Sequence, residues 1–305
     1  MTAGKKHIRH YSYYPGCSLH ASGREYDIST RALFKALRLG LEEVPDWFCC
    51  GATPAHNVDE LLSLSLCAKN LSLAEAVEGD LAVACASCFS RLKTTQHHLK
   101  EDPVKKKQVE TAIAGPAAIG KPVKHILEIL ARDFGLASLA ESVKKPLSGL
   151  KVACYYGCLL TRPPEVPELD DCEDPSIMED ILRALGAEPV PFSHRMECCG
   201  ANFTLSRTAV VYKLSNAILR SAQEAGADCI MVACPLCHGN LDIRQEEIKA
   251  KYADELKGDE LPRRDTPIFY VTQLAALAMG VPSDKLGLES IIVDPRPLLR
   301  EKKLL

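Results

Sequence analysis

No apolar run in this 305-residue chain approaches the ~20 residues that a helix needs to cross a bilayer. The opening stretch, MTAGKKHIRHYSYYPGC, carries basic groups but no apolar segment that could serve as a signal-peptide core. A cytoplasmic location is therefore expected. An excess of one charge is lacking as well: the formal net charge is −3, so nothing points to a nucleic-acid partner. No G-x-G-x-x-G follows a predicted strand, which argues against a flavin or nicotinamide site in the chain itself. Nor is there a C-x2-C-x2-C run of the ferredoxin type.

What remains is an ordinary globular composition, 47% hydrophobic and 25% charged, with one conspicuous excess. There are fourteen cysteines. In a reducing compartment metal or redox chemistry accounts for them better than structural disulfides do. Scattered cysteines would most simply be small buried hydrophobes, but these are ordered.

Cys17 stands alone, Cys49 and Cys50 are adjacent and followed by Gly51, and Cys85 and Cys88 form a CxxC. The second half repeats the order with Cys158, then Cys198, Cys199 and Gly200, then Cys234 and Cys237. Thirty-four residues separate Cys50 from Cys85, and thirty-four separate Cys199 from Cys234. The lone cysteine precedes its pair by 31 intervening residues in the first half and by 39 in the second. A loop insertion at RPPEVPELDDCEDP (162–175), rich in proline and acid, explains the difference. The chain reads as a duplication.

Short apolar runs around HYSYY, LAVAC, KVACYYG and CIMVAC predict strands. Helical patterns cover 27–40, 58–77, 176–186 and 208–226, with Gly40, Gly186 and Gly226 at the expected C-terminal ends. The fold class expected is α/β: two pseudo-symmetric repeats, each with a small parallel sheet flanked by helices. Residues 1–100 form the first cysteine-rich domain and 150–305 the second; 101–149 join them and carry a helix near 124–134. Each CxxC then links a strand end to a helix start, where α/β folds gather ligands and where thiolates are stabilised. Gly51 and Gly200 allow a sharp turn beside a bulky group.

Five cysteines per half admit more than one metal. Structural zinc takes four thiolates in a tetrahedron and would leave one over. Adjacent cysteines, with Cα atoms ~3.8 Å apart, are awkward for one small ion and suit two irons of one cluster. Iron–sulfur chemistry is favoured, with zinc in one half as the competitor. A thioredoxin-like dithiol requires neither Cys-Cys-Gly nor a duplication. Electrons must then come from, or go to, another protein.

The doubled pattern resembles the cysteine-rich CCG domains of the heterodisulfide reductase B subunit family. The stretches YYGCLLTRP, MECCGAN and GADCIMVACPLCHGNLDIRQEEI carry the resemblance in the second half; YYPGCSLHASGREYD and FCCGAT, similar to bacterial relatives, carry it in the first. The resemblance implies two noncubane [4Fe–4S] clusters. One would be held by Cys17, Cys49, Cys50, Cys85 and Cys88, the other by Cys158, Cys198, Cys199, Cys234 and Cys237. It implies a disulfide oxidoreductase whose substrate meets a cluster with each sulfur, each cluster passing one electron. It also implies partner subunits: a ferredoxin-type iron–sulfur C subunit, a flavin-containing A subunit and, in sulfur metabolism, a lipoate-bearing carrier protein. No catalytic residue beyond the cluster ligands is expected.

Other residues have plainer readings. Cys67 and Cys229 read as core packing, Cys154 as an alternative ligand to watch, and Cys172 as outside the repeat. His20, His56, His194 and His238 lie near the cysteines, as do Arg24, Arg162, Arg195 and Arg207; caps, loops and solvation are their default roles. Trp47 and Phe48 are expected to shield a cluster. The run HHLKEDPVKKKQ (97–108) reads as a solvated helix end and loop.

Overall fold

The computed structural model describes residues 9–52, 55–252 and 265–305. Part of the basic opening stretch, residues 1–8, lies outside them.

Two four-stranded sheets, all parallel, occupy the two halves. In the first, β1 (His10–Tyr14), β2 (Gly40–Glu43), β3 (Asp80–Val83) and β4 (Val123–His125) lie in the order β2-β1-β3-β4. In the second, β5 (Lys151–Tyr155), β6 (Glu188–Val190), β7 (Cys229–Val232) and β8 (Ile268–Tyr270) lie in the order β6-β5-β7-β8. The two orders are the same, so the expectation of pseudo-symmetric α/β repeats holds.

The inner strands were legible because both of their faces are buried, which leaves near-continuous apolar runs. All four edge strands escaped the sequence pattern. They are three or four residues long, as in GLEE, EPV and VKH, and give no periodicity. The stretch 101–149 is more than a tether, since β4 pairs with β3 through Leu81↔Val123 and Val83↔His125. The helix expected near 124–134 begins at Ile126 and runs through a π-helical turn, Ile129–Gly135.

Gly40 is a correction. The preceding helix, Arg24–Ala36, ends earlier, with Arg38 rather than glycine in the left-handed region, and Gly40 opens β2 against His10. Gly186 and Gly226 do follow their helices with φ of 81° and 79°.

The halves exchange helices. Helix Arg24–Ala36 of the first packs on Val271–Ala278 of the second, with Ser29 and Thr272 hydroxyls 2.7 Å apart. Helix Ile177–Ala184 packs in return on the helical segments beginning at Ile126. One hydrophobic core consequently runs through both halves, from Tyr11 to Leu304.

Candidate metal centre

A strand order of 2-1-3-4 reverses direction between β1 and β3, and the crevice beyond the carboxyl ends of those strands is where such sheets bind ligands. Cys17 follows β1 and Cys85 follows β3; Cys158 follows β5 and Cys234 follows β7. The topology therefore collects each five-cysteine set at a switch point.

Local devices hold the sulfurs there. Three residues before each lone cysteine a tyrosine reaches across to the adjacent pair: Tyr14 Oη donates to the Phe48 carbonyl (2.7 Å), Tyr155 Oη to that of Glu197 (2.6 Å). Gly51 and Gly200, with φ of 71° and 79°, turn the chain so that their N–H groups donate to Cys49 Sγ (3.4 Å) and Cys198 Sγ (3.3 Å). Cys85 and Cys234 sit at the N-caps of helices Ala86–Glu101 and Pro235–Asp242.

The sulfurs come in pairs. Cys17 and Cys49 are 3.6 Å apart and Cys50 and Cys88 3.3 Å; in the second half Cys158 and Cys198 are 3.8 Å apart and Cys199 and Cys237 3.6 Å. The two CxxC segments meet across the halves, where Ala86 N donates to the Ala233 carbonyl (3.3 Å) and Ser87 Oγ lies 3.8 Å from Cys234 Sγ. Two thiolates on one tetrahedral metal, with bonds of about 2.3 Å, stand ~3.8 Å apart. Three of the four measured pairs are within a few tenths of an ångström of that. Among the described residues, no three Cys, His, Asp or Glu side chains gather around one ion position. Two close thiol pairs and a fifth cysteine in each half make a soft donor set of the kind that zinc and iron–sulfur clusters both accept. In the second half all five cysteines line one pocket, partly open to solvent, together with Ala86 and Ser87 of the first.

Electrostatics divides the thiols into proton holders and thiolates. Cys17 and Cys49 share a proton across their 3.6 Å contact, which holds Cys49 well below the usual thiol range and raises Cys17. In the same way Cys158 donates to Cys198, whose pKa falls to about 6. Cys234 is lowered by Cys237 first and Cys85 second, aided by the amides of Cys237 and Leu236 at the helix N-terminus. Its donors Cys85 and Cys237 are raised. In the first half Cys49 alone is lowered while Cys50 and Cys88 are raised along with Cys17 and Cys85, whereas the second half lowers both Cys198 and Cys234.

Residues outside the repeat fall away from the sulfurs or support them. Cys154 and Cys229 are buried in β5 and β7, and Cys172 lies in the inserted loop, where Arg162 donates to its carbonyl. Cys67 is buried and donates to the Cys50 carbonyl (3.4 Å), so it braces the site's backbone as well as packing. His20 pairs with Glu43 (3.3 Å) and meets Trp47 edge-on, while Trp47 also packs on Tyr14. His56, Arg24 and Arg207 are exposed, and His194 meets Ser193. Arg195 ties the inserted loop to the site through Asp174 and Glu179. The run 97–108 continues one helix and begins another at Pro103, capped by Asp102.

Several residues near the sulfurs were not singled out by the sequence pattern. His125, buried at the end of β4, bonds the Ala84 carbonyl (2.9 Å), and its Nδ1 accepts from Leu127 N. In the second half Tyr270 takes that place and His238 stacks on it, the ring centroids 4.3 Å apart. Tyr26 stacks on the other face of Tyr270 at 4.0 Å. Asn240 lies one helical turn beyond Cys237 and donates to Cys199 O (3.1 Å) and Sγ (3.6 Å). Its i+3 spacing from a candidate ligand was the available signal.

Comparison with known proteins follows the same outline. The sequence matches the family described as CCG, Cysteine-rich domain, over residues 11–93 and again over 152–242. It is 33% identical over 293 residues to the 8-methylmenaquinol:fumarate reductase membrane anchor subunit of Wolinella succinogenes, covering 95% of this chain and 99% of that protein. It is 30% identical to the B subunit of the ferredoxin:CoB-CoM heterodisulfide reductase of Methanosarcina mazei, covering 91% and 92%. A protein of Archaeoglobus profundus, named as similar to the heterodisulfide reductase B subunit, is 29% identical over 94% of this chain and 95% of its own length. A crystal structure of a hypothetical protein from Helicobacter pylori shares the fold, with a TM-score of 0.73 at 12% identity over 94% of this chain and 52% of that one. Among the described residues no helix is long and apolar enough to cross a membrane.

Proposed function

Given that the chain belongs to the heterodisulfide reductase B family of tandem CCG cysteine-rich domains, we propose that it is the disulfide-handling iron–sulfur subunit of a multi-subunit redox complex. The ligands are Cys17, Cys49, Cys50, Cys85 and Cys88 in one half and Cys158, Cys198, Cys199, Cys234 and Cys237 in the other. Two noncubane four-iron clusters would supply or accept electrons one at a time. The observation that supports this reading is that each set follows the inner strands of its own sheet, and that the two CxxC segments meet where Ala86 N donates to the Ala233 carbonyl (3.3 Å) and Ser87 Oγ lies 3.8 Å from Cys234 Sγ.

Cleaving a disulfide takes two electrons and two protons and releases two thiols. A site that meets each sulfur separately avoids a free thiyl radical, and on this reading the two halves would supply two such sites. Cys17, Cys49 and Cys198 are exposed and Cys158 is half-buried, so the lone cysteine and the first of each adjacent pair form the open side. Cys50, Cys85, Cys88, Cys199, Cys234 and Cys237 are buried and form the floor. Electrons would reach it through a ferredoxin-type iron–sulfur subunit and a flavin-containing subunit in a cytoplasmic complex, with a lipoate-bearing carrier as one candidate substrate.

A second reading, an electron-transfer subunit without disulfide chemistry, is favoured by the relative named as a fumarate reductase anchor. Ser substitution at Cys198 or Cys199 separates the two. The first reading expects iron to fall from about eight to about four per chain and disulfide turnover to fall to background. Persistent turnover with that cluster lost would exclude catalysis there.

A further inference from the structure

The backbone is repeated in the two halves, but the side chains that touch the ligand sulfurs are not. In the second half two buried side chains other than cysteine approach ligand sulfurs. Asn240, 2% exposed, donates through Nδ2 to Cys199 Sγ (3.6 Å), and its Oδ1 accepts from Thr204 (2.9 Å), which fixes the amide's orientation. Ser87, 5% exposed, comes from the first half's CxxC, yet its hydroxyl lies 3.8 Å from Cys234 Sγ. A thiolate can only accept, so Ser87 is the donor once Cys234 binds metal.

The matching places in the first half differ. Arg91 stands three residues after Cys88, as Asn240 does after Cys237, but its Nη2 turns to Ser63 Oγ (2.6 Å). Leu236 holds the place of Ser87 in the second CxxC and has no donor. Ser18 lies beside Cys17, but that sulfur is exposed, and water competes for it.

A donor aimed at a ligand sulfur stabilises the more negative, reduced form of the centre, most strongly where water is excluded. We infer that Asn240 and Ser87 raise the reduction potential of the second half's centre, which makes the two centres redox-inequivalent. The inference rests on the reading of both halves as iron–sulfur sites. Both residues are positioning residues. Because Ser87 belongs to the first half's CxxC helix, the first half helps to set the second half's electron affinity.

The test is an EPR-monitored redox titration of the full iron-loaded chain, with iron content measured alongside. Ser87→Ala and Asn240→Leu should each lower the same one of two potentials, by about three- to tenfold in its one-electron equilibrium, up to ~59 mV. The double variant should lose roughly the sum, since the donors act on different sulfurs. Ser87→Thr keeps the hydroxyl and should restore the original value. Both potentials unchanged within about twofold at full iron content, or both falling equally, would overturn the inference. If Asn240→Leu fails to load iron, Ser87→Ala with its Thr rescue decides alone. A wild-type chain that holds no iron would sink the proposed function as well, whereas loaded centres with unmoved potentials would sink only this inference.

Discussion

The two cysteine-rich halves share strand order, tyrosine ties and glycine turns, and differ in what surrounds their sulfurs. The first half leaves both Cys17 and Cys49 exposed. The second half gathers its five cysteines around one partly open pocket, places Asn240 against one of them, and carries the inserted loop 162–175. That loop is pinned: Asp170 accepts from Ser176 N and Ile177 N (2.7 Å each), which starts the next helix, and Arg195 holds Asp174 and Glu179. The duplication thus supplies two equivalent frames, and side chains make the two centres unlike. Partner docking and substrate entry need not use both halves in the same way.

The largest effect should come from treating the halves alike. Cys49→Ser should cost as much disulfide turnover as Cys198→Ser, about 10³-fold in each case, because paired one-electron steps need both centres. Steady-state assays of the two variants check this. A variant of one half that retained most of its turnover would mean that this half is only a relay.

Acid should act on both halves through a buried histidine in each. Burial lowers His125 and His238 to about 4, against about 6.5 unfolded. The unfolded chain therefore binds more protons between those values, so the stability held above pH 6.5 is lost as pH falls towards 4. Each histidine contributes about 3 kcal/mol to that loss. Urea unfolding of the metal-free protein at pH 7 and pH 5 should show the drop. His125→Gln and His238→Gln should each remove a similar share of it.

The glycine before each lone cysteine should separate the halves. A Cβ on Gly16 would stand 2.9 Å from Cys88 Sγ, whereas one on Gly157 would stand 3.3 Å from Cys237 Sγ. Both sit at positive φ, 74° and 70°, and Gly16, with ψ of 165°, lies where essentially only glycine goes, so alanine costs on the order of 1–3 kcal/mol in backbone strain. Gly16→Ala should add a displaced ligand and lose more of its half's iron than Gly157→Ala, read by metal analysis.

The smallest effect is a difference in labelling. Cys49 in the metal-free protein is held well below the usual thiol range and Cys198 is lowered only to about 6, so at pH 5 Cys49 should carry the larger share of thiolate. Iodoacetamide should modify Cys49 about tenfold faster, and the gap should close above pH 7. Mass spectrometry of the alkylated peptides reads this directly.

Much of this was written in the cysteine spacing. The equal gaps from Cys50 to Cys85 and from Cys199 to Cys234 announced two equivalent frames, and the inner strands followed from their apolar runs. The edge strands stayed hidden because three or four residues cannot establish a period, and Gly40 misled because a short β-strand followed the helix directly. Contacts between the halves were not legible at all. Tyr26 on Tyr270 and Ser29 on Thr272 depend on the exchanged helices, and Ser87 against Cys234 on the approach of the two CxxC segments, none of which a local pattern encodes. Asn240 was accessible in principle from its spacing, but only once Cys237 was taken as a ligand.

The central claim, two thiolate-bound four-iron centres in one chain, is tested most directly by metal and acid-labile sulfide analysis of anaerobically purified protein, with EPR after mild oxidation. The account predicts about eight irons and eight sulfides per chain and signals from both centres. About one zinc with four irons would contradict it, because one half would then be structural and paired one-electron chemistry would lose its second site.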